Sequence, residues 1–272
     1  MRTRQSATSW SSLLMIVSLS AALAAQWIGY PPKYMPRTSD GKPNLSAPTP
    51  RTADGRPDLS GIWLATTDPN DRAGGIEGTV APRYQVNVMR DFKPGEVPFQ
   101  PWAAELYKKR QANVMRDNPM IRCLPAGLPR FNAYTHPQKI VQTRDLIVFL
   151  YESQTLFRQV FLDGRSHPKD PLPSWLGYSV GRWDGDDLVV ETTGFNDQTW
   201  LDGLGHPHSE EMRLTERFRR RDFGHMDIEI TIDDPKAYTK PIKYVQPQLL
   251  QTDSDLIEYI CTENMKPVGP GR

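Results

Sequence analysis

Long apolar runs and cysteines are both scarce in this 272-residue chain, which has two cysteines in all. After residue 24 no stretch approaches the roughly 18 apolar residues that a spanning helix needs, so no membrane span is expected once the leader is set aside. An excess of charge is also missing: 33 Lys and Arg face 32 Asp and Glu, a net charge of +1. No global field then steers the protein to nucleic acid or anionic lipid. No phosphate-binding glycine loop or dinucleotide fingerprint stands in the right context, which disfavours chemistry with a bound nucleotide.

The one apolar run is N-terminal. Arg2 and Arg4 precede Leu13–Ala24, which ends in the A-x-A pattern Ala22-Leu23-Ala24. That order reads as a secretory signal peptide over residues 1–24, with an uncleaved anchor as the alternative. No cysteine follows the run, which argues against a lipid-modified terminus. The expected address is periplasmic or secreted. In an oxidising compartment Cys123 and Cys261 pair naturally, and loop entropy favours the bridge by roughly 4–5 kcal/mol. It would tie the segment before the sheet to the last strand. The alternative is two buried thiols.

Residues 25–60 read as a Pro-rich linker and clasp. Arg37–Ser46 is nearly repeated as Arg51–Ser60, each copy holding an Asp-Gly step and an x-Pro step that make turns. Gly61–Ala65 begins the first strand, and residues 61–272 form a single β-barrel-like domain. One helix is expected over 101–114, with Pro101 at its first position and an apolar face of Trp102, Ala103, Leu106 and Tyr107. Pro119, Pro125 and Pro129 forbid regular structure up to about residue 137. Strands are then expected near 139–143, 146–152, 155–162, 177–183, 187–193, 211–219, 225–232, 241–250 and 255–262. Met226, Ile228, Ile230 and Ile232 alternate with polar residues, so that strand has one buried face. The fold class is therefore mainly β: an antiparallel meander curled into a barrel, because closure removes exposed edges.

A strictly antiparallel meander sorts the connections. Turns 153–154, 184–186, 220–224 and 251–254 fall at the end where the 139 strand starts. Connections 163–176, 194–210 and 233–240 fall at the other end, with the tight 144–145 turn. Long loops gathered on a rigid sheet are a usual mount for a site. They carry His167, Trp175, Asn196, Asp197, Trp200, Asp202, His206, His208, Glu210 and Tyr238.

His206, His208 and Glu210 alternate, so in extended backbone all three could meet one divalent metal, with His167 as a further ligand. Loop histidines bonding to backbone are the plainer reading. Acid–base use of His206 or His208 with Asp197 or Asp202 is a third. Glu216 shares the inward register of Met212, Leu214 and Phe218, and a buried carboxylate needs a partner or a raised pKa. Arg158, between Leu156 and Val160, is the expected partner in an ion pair; a ligand-binding or proton-transfer role is the alternative. Gly177–Gly181 matches G-x-S-x-G, but a strand and an Asp-Gly turn follow it where a nucleophile elbow needs a helix, so Ser179 is not read as a nucleophile. Arg217 and Arg219 read as a solvated strand face, with Arg220 and Arg221 in a turn.

Pro98–Ala104, Arg122–Pro125, Gly181–Asp186, Gly194–Asp197 with Thr199–Asp202, and Gly205–Glu210 resemble a large family of uncharacterised exported bacterial proteins. The resemblance covers roughly residues 50–265 and implies export; it supplies no catalytic roles. Gly61-Ile62-Trp63 is similar to the opening of lipocalin-like (calycin) barrels. Three functions follow as expectations, the plainest being an envelope interaction protein with the loop face as its partner surface, beside two that use the site residues. The first is an exported barrel that holds a small, partly apolar molecule, with Trp175, Trp200 and Tyr238 as flat contacts, Asn196 and Arg158 as polar ones, and no nucleic-acid partner. The second is a lyase, isomerase or hydrolase that uses His206, His208, Asp197, Asp202 and Glu216. No cofactor is required by either beyond the optional metal.

Overall fold

Alternation along the strands builds the wall of a closed, lipocalin-like barrel. In a computed structural model of the chain, which describes residues 34–66, 87–93, 95–134 and 136–264, nine strands form one ring. They are β1 (Gly61–Ala65), β2 (Gln138–Gln142), β3 (Leu146–Tyr151), β4 (Phe157–Phe161), β5 (Tyr178–Asp184), β6 (Asp187–Thr193), β7 (Arg213–Arg220), β8 (His225–Asp233) and β9 (Ile242–Leu250). Each pairs with the next, and β1 returns to β9 through Trp63↔Leu250. Residues 1–24, read as the signal peptide, lie outside the described residues. Among those described, no helix is long and apolar enough to cross a membrane.

Neighbours in a closed ring of nine cannot all alternate in direction, so one pair must run parallel. That pair is β4–β5, joined by only Val160↔Ser179 and Phe161↔Val180. This corrects the strictly antiparallel meander. From β5 onward every strand runs opposite to expectation, so loops 194–212 and 234–241 lie at the end where β2 starts, beside turn 153–154. Turns 184–186 and 221–224 move to the other end. Segment 162–177 travels from one end towards the other and arrives beside Phe195, where Asn196 N donates to Ser174 O at 2.9 Å.

The expected strand at 255–262 does not form. β1 already occupies the free edge of β9, so no ladder is left for another strand to join. The tail instead meets turn 153–154, through Gln154 N to Tyr259 O at 3.1 Å, and ends in a 3-10 turn at Cys261–Asn264. Cys123 and Cys261 are bridged, with Cα atoms 5.6 Å apart across a sequence separation of 138. The bridge thus joins two irregular segments, not a segment and a strand.

One end of the barrel is capped. The two repeats fold alike: Arg37 and Arg51 each donate to the carbonyl of their own glycine, Gly41 at 2.6 Å and Gly55 at 2.8 Å. The first repeat leads into Leu45 and Ala47, which accept from Gly224 N and Phe223 N. The second clamps the β5–β6 hairpin through a two-pronged Arg51–Asp186 pair at 3.0 and 2.6 Å. Beneath this cap Trp63 is fully buried, its indole N–H donating to Leu59 O at 2.9 Å. Arg220 lies in β7 rather than in the turn expected for it, and its guanidinium sits 4.9 Å from the Trp63 ring centre.

The opposite end is plugged by segment 97–137. α1 (Pro101–Gln111) starts from Gln100, whose backbone N donates to Ala237 O at 2.8 Å. The helix stops earlier than expected, and a short α2 (Val114–Asp117) follows. α1 presents Ala103, Tyr107 and Arg110 to the barrel, while Trp102 is exposed and bonds through its indole to Lys236 O. A 3-10 turn at Arg130–Ala133 then enters the lumen, where Phe131 stacks on Tyr151 at 4.6 Å.

Candidate functional site

At the plugged end the residues with chemical potential sit inside, not on a rim. Loop 194–212 is held shut by α1: Arg110 donates to Gly205 O at 3.1 Å and its guanidinium sits 5.1 Å from the Trp200 ring centre. Tyr238, on the next loop, donates its hydroxyl to Pro207 O at 2.7 Å. Trp200, Tyr238, His206 and His208 are all 2 % exposed.

Asp202 organises this loop. Its Oδ1 accepts from Leu204 N at 2.9 Å and from His206 N at 3.4 Å; its Oδ2 accepts from Val88 N at 3.1 Å and from His206 Nδ1 at 2.7 Å. Burial works to raise the Asp202 pKa, but the His206 ring and the backbone N–H donors outweigh it and hold it below the usual carboxylate range. The His206 ring stacks on Tyr107 at 4.4 Å, and Phe99 completes a three-ring cluster at 5.8 Å from His206 and 5.2 Å from Tyr107. Burial pushes the Tyr107 phenol up to about 12, so it stays protonated at neutral pH. With Nδ1–H committed to Asp202, the lone pair of a neutral imidazole lies on Nε2.

His208 does something different. Ser209 O can only accept, so His208 Nδ1 carries the proton and donates to it at 3.1 Å. Nε2 then accepts from the Thr199 hydroxyl at 2.7 Å. Burial lowers the His208 pKa, so the folded state holds it neutral. The unfolded chain takes up a proton below about pH 6.5, and stability falls with pH there and is flat above. We expect His208→Gln to flatten this acid limb. Urea midpoints at pH 7.5, 6.5 and 5.5 should converge relative to wild type, by up to about 1.4 kcal/mol per pH unit.

Thr199 is fixed from behind by Gly127, which has φ +76° and whose added Cβ would lie 2.5 Å from Thr199 Oγ1. Gly127→Ala is expected to cost about 1–3 kcal/mol through this overlap and the left-handed backbone, read as a lower denaturation midpoint.

A second cluster crosses the lumen. Arg158 and Glu216 form a two-pronged pair, with Nη1 to Oε1 at 3.2 Å and Nη2 in shorter contact with Oε2. Asn132 Nδ2 donates to Glu216 Oε1 at 2.5 Å. Arg158 Nε donates to Ser179 Oγ at 2.9 Å and Nη2 to Thr192 Oγ1 at 2.8 Å. Burial opposes the Arg158 charge, yet the Glu216 carboxylate outweighs it and holds the pKa above its ordinary value. Burial pushes Tyr151 to about 12, and its hydroxyl lies near Arg158 without hydrogen-bond geometry. This cluster explains the small Ser179: it receives Arg158 rather than acting as a nucleophile.

The structure therefore brings together His206 with Asp202, Arg158 with Glu216, and Trp200 and Tyr238 with the histidines. Other expected members stand apart. Asp197 and Glu210 are exposed, Asn196 Oδ1 caps Gln198 N at 3.1 Å, Trp175 is half-buried, and His167 Nε2 meets Glu191 O at 3.0 Å. Among the described residues no three His, Cys, Asp or Glu side chains form a group that could hold a metal ion. Gln138, Tyr244, Gln246 and Gln248, buried in the lumen, were missed. The signal that flagged Glu216, a polar residue in the inward register, would have found the β9 residues. Asn132 carries no such signal, lying in a Pro-rich irregular segment. No protein-family model matches the chain, and comparison with curated proteins finds no match.

Proposed function

We propose that the protein is exported and binds a small, partly apolar molecule in the plugged half of its barrel. Among the described residues, six buried polar atoms there lack hydrogen-bond partners: Asn132 Oδ1, Gln138 Oε1, Tyr151 OH, Tyr244 OH, Gln246 Oε1 and Gln248 Oε1. Native interiors leave few such atoms unpaired, because each costs about 1–3 kcal/mol. Gln248 Nε2 donates to Asn132 O at 2.6 Å and Gln246 Nε2 to Thr66 O at 3.0 Å, which fixes both amides with their oxygens as the unpaired atoms. Four of the six are thus amide carbonyls, so the complementary molecule presents O–H or N–H donors. Its apolar part would meet Val190 and Ile230, which flank Glu216 across the ladder, and Phe149, which flanks Arg158. The N-terminal pattern and the disulfide support export, since disulfides persist in oxidising compartments.

Ordered water is the competing occupant. Native mass spectrometry of protein released from the periplasm decides between them. A retained small mass is expected, lost in the Tyr244→Phe/Gln248→Leu variant. No retained mass, together with a variant at least as stable as wild type, would sink the reading.

One observation favours a second reading, an acid–base enzyme. Asp202 orients His206, and among the described residues the Nε2 atom has no hydrogen-bond partner, the arrangement a general base requires. Replacing His206 and His208 together would then abolish turnover of the retained molecule while leaving its affinity intact. Loss of affinity with no turnover to lose would favour the binder.

A further inference from the structure

A cavity of about 190 Å³ lies outside the lumen, beside the disulfide. Three separate pieces build it. The first is the segment of Asn118, Met120 and Ile121, with Arg130 from the 3-10 turn behind it. The second is turn 153–154. The third is the C-terminal stretch carrying Tyr259 and Cys261.

Arg130 is the unusual member. It is 7 % exposed, and among the described residues one of its five N–H donors is used, Nη1 to Asn118 Oδ1 at 3.1 Å. That oxygen is already shared with Met120 N at 3.2 Å. Among the described residues no carboxylate pairs with Arg130, and the acidic group it senses, Asp202, acts only at a distance. Burying a guanidinium without a counter-charge is costly, and buried charges are normally paired. Ser153 Oγ, also on the wall, is buried close to the Tyr134 hydroxyl and, among the described residues, has no partner in hydrogen-bond geometry.

We propose that this cavity binds a small organic carboxylate. A carboxylate matches the planar guanidinium with two parallel hydrogen bonds, and its second oxygen can accept from Ser153. One cation, rather than a cluster, suits a monoanion better than a phosphate. Tyr134, Tyr259 and Ile121 supply flat and aliphatic walls for a compact apolar body. Pockets for drug-sized ligands run to about 300–1,000 Å³, so this one takes a molecule of a single ring or a short chain. The site stands independently of the lumen. Its outer wall is held by the Cys123–Cys261 bridge, so occupancy is coupled to the oxidised state of that bridge, and by reciprocity the ligand protects the bridge from reduction.

The probe is benzoate, with neutral benzamide as control, titrated calorimetrically into the full mature chain. We expect one saturable site for benzoate and at least thirtyfold weaker binding of benzamide, the scale of losing one partner of a buried charge pair, about 2 kcal/mol or more. Arg130→Met should weaken benzoate by a similar factor. Ile121→Trp, at an exposed position, should fill the cavity and block binding in a chain whose thermal midpoint is unchanged; it carries the test should Arg130→Met fail to fold. Protein reduced with dithiothreitol should bind at least tenfold more weakly. The proposal is overturned if benzoate does not bind at millimolar concentration, if benzamide or sulfate binds as well, or if Ile121→Trp binds like wild type. Equal affinity of reduced and oxidised protein removes the coupling to the bridge.

Discussion

Glu216→Leu is expected to lower stability by about 3–5 kcal/mol, and adding Arg158→Met in the same chain should return most of that loss. Both side chains are almost wholly inaccessible, at 0 % and 2 %. Removing the carboxylate alone leaves a guanidinium with two hydroxyls and no counter-charge. Removing both leaves an apolar pair in a lumen already lined by Val190, Ile230 and Phe149. Ser179 Oγ and Thr192 Oγ1 remain satisfied, being 2.9 Å from one another. Only Asn132 Nδ2 then lacks its acceptor. The pair also has a mechanical role. From β4, Arg158 reaches Ser179 on β5, Thr192 on β6 and Glu216 on β7, and so bridges from inside the one place where the wall has just two paired residues. Urea unfolding of the two single variants and the double variant measures this. A single variant costing under about 1 kcal/mol, or a double variant no better than the worse single one, would refute the account.

Cys123→Ser/Cys261→Ser is expected to cost about 4–5 kcal/mol, the chain-entropy value for a loop of this length. The loop spans 138 residues and encloses β2 to β9, so breaking it frees almost the whole barrel in the unfolded ensemble. In the folded state the effect should be local. Without the bridge the tail keeps Gln154 N to Tyr259 O, Tyr259 N to Glu152 O at 3.3 Å and the Lys139–Asp255 pair at 2.7 Å. Limited proteolysis should therefore cut first between residues 251 and 264 in the variant. An unchanged urea midpoint would refute the entropic account, and first cleavage elsewhere would refute the assignment of the tail.

Most of the wall was legible because strand alternation is a local property. β6 falls on the expected residues 187–193, and seven further strands lie within two residues of expectation at each end. The Arg158–Glu216 pair was legible for the same reason, since each is a charge in an inward register. What escaped was non-local. The direction of β5 depends on ring closure, which no window of sequence contains. The absent strand at 255–262 depends on β1 having taken the edge of β9, the first and last strands of the ring. The helix face was read in part: Ala103 and Tyr107 turn inward as expected, but the partner is a buried polar loop, which Arg110 serves and Trp102 does not. The loop histidines stand out in the sequence, but their separate partners, Asp202 for one and Thr199 for the other, follow from a fold of loop 194–212 that spacing alone does not encode.

The parity of the ring bears on how such a molecule can change over evolutionary time. Gain or loss of one strand would make the count even and force either full alternation or a further pair of co-directional neighbours. Unless the new strand enters at the parallel β4–β5 joint or brings a crossover of its own, every strand downstream would reverse and its connections would exchange poles. Hairpins, inserted two strands at a time at a tight turn such as 143–145 or 184–186, leave that orientation intact. Growth of this architecture is thereby channelled: it lengthens in twos at any tight turn, while a single added strand finds a ready place at the β4–β5 joint, where it would complete the alternation.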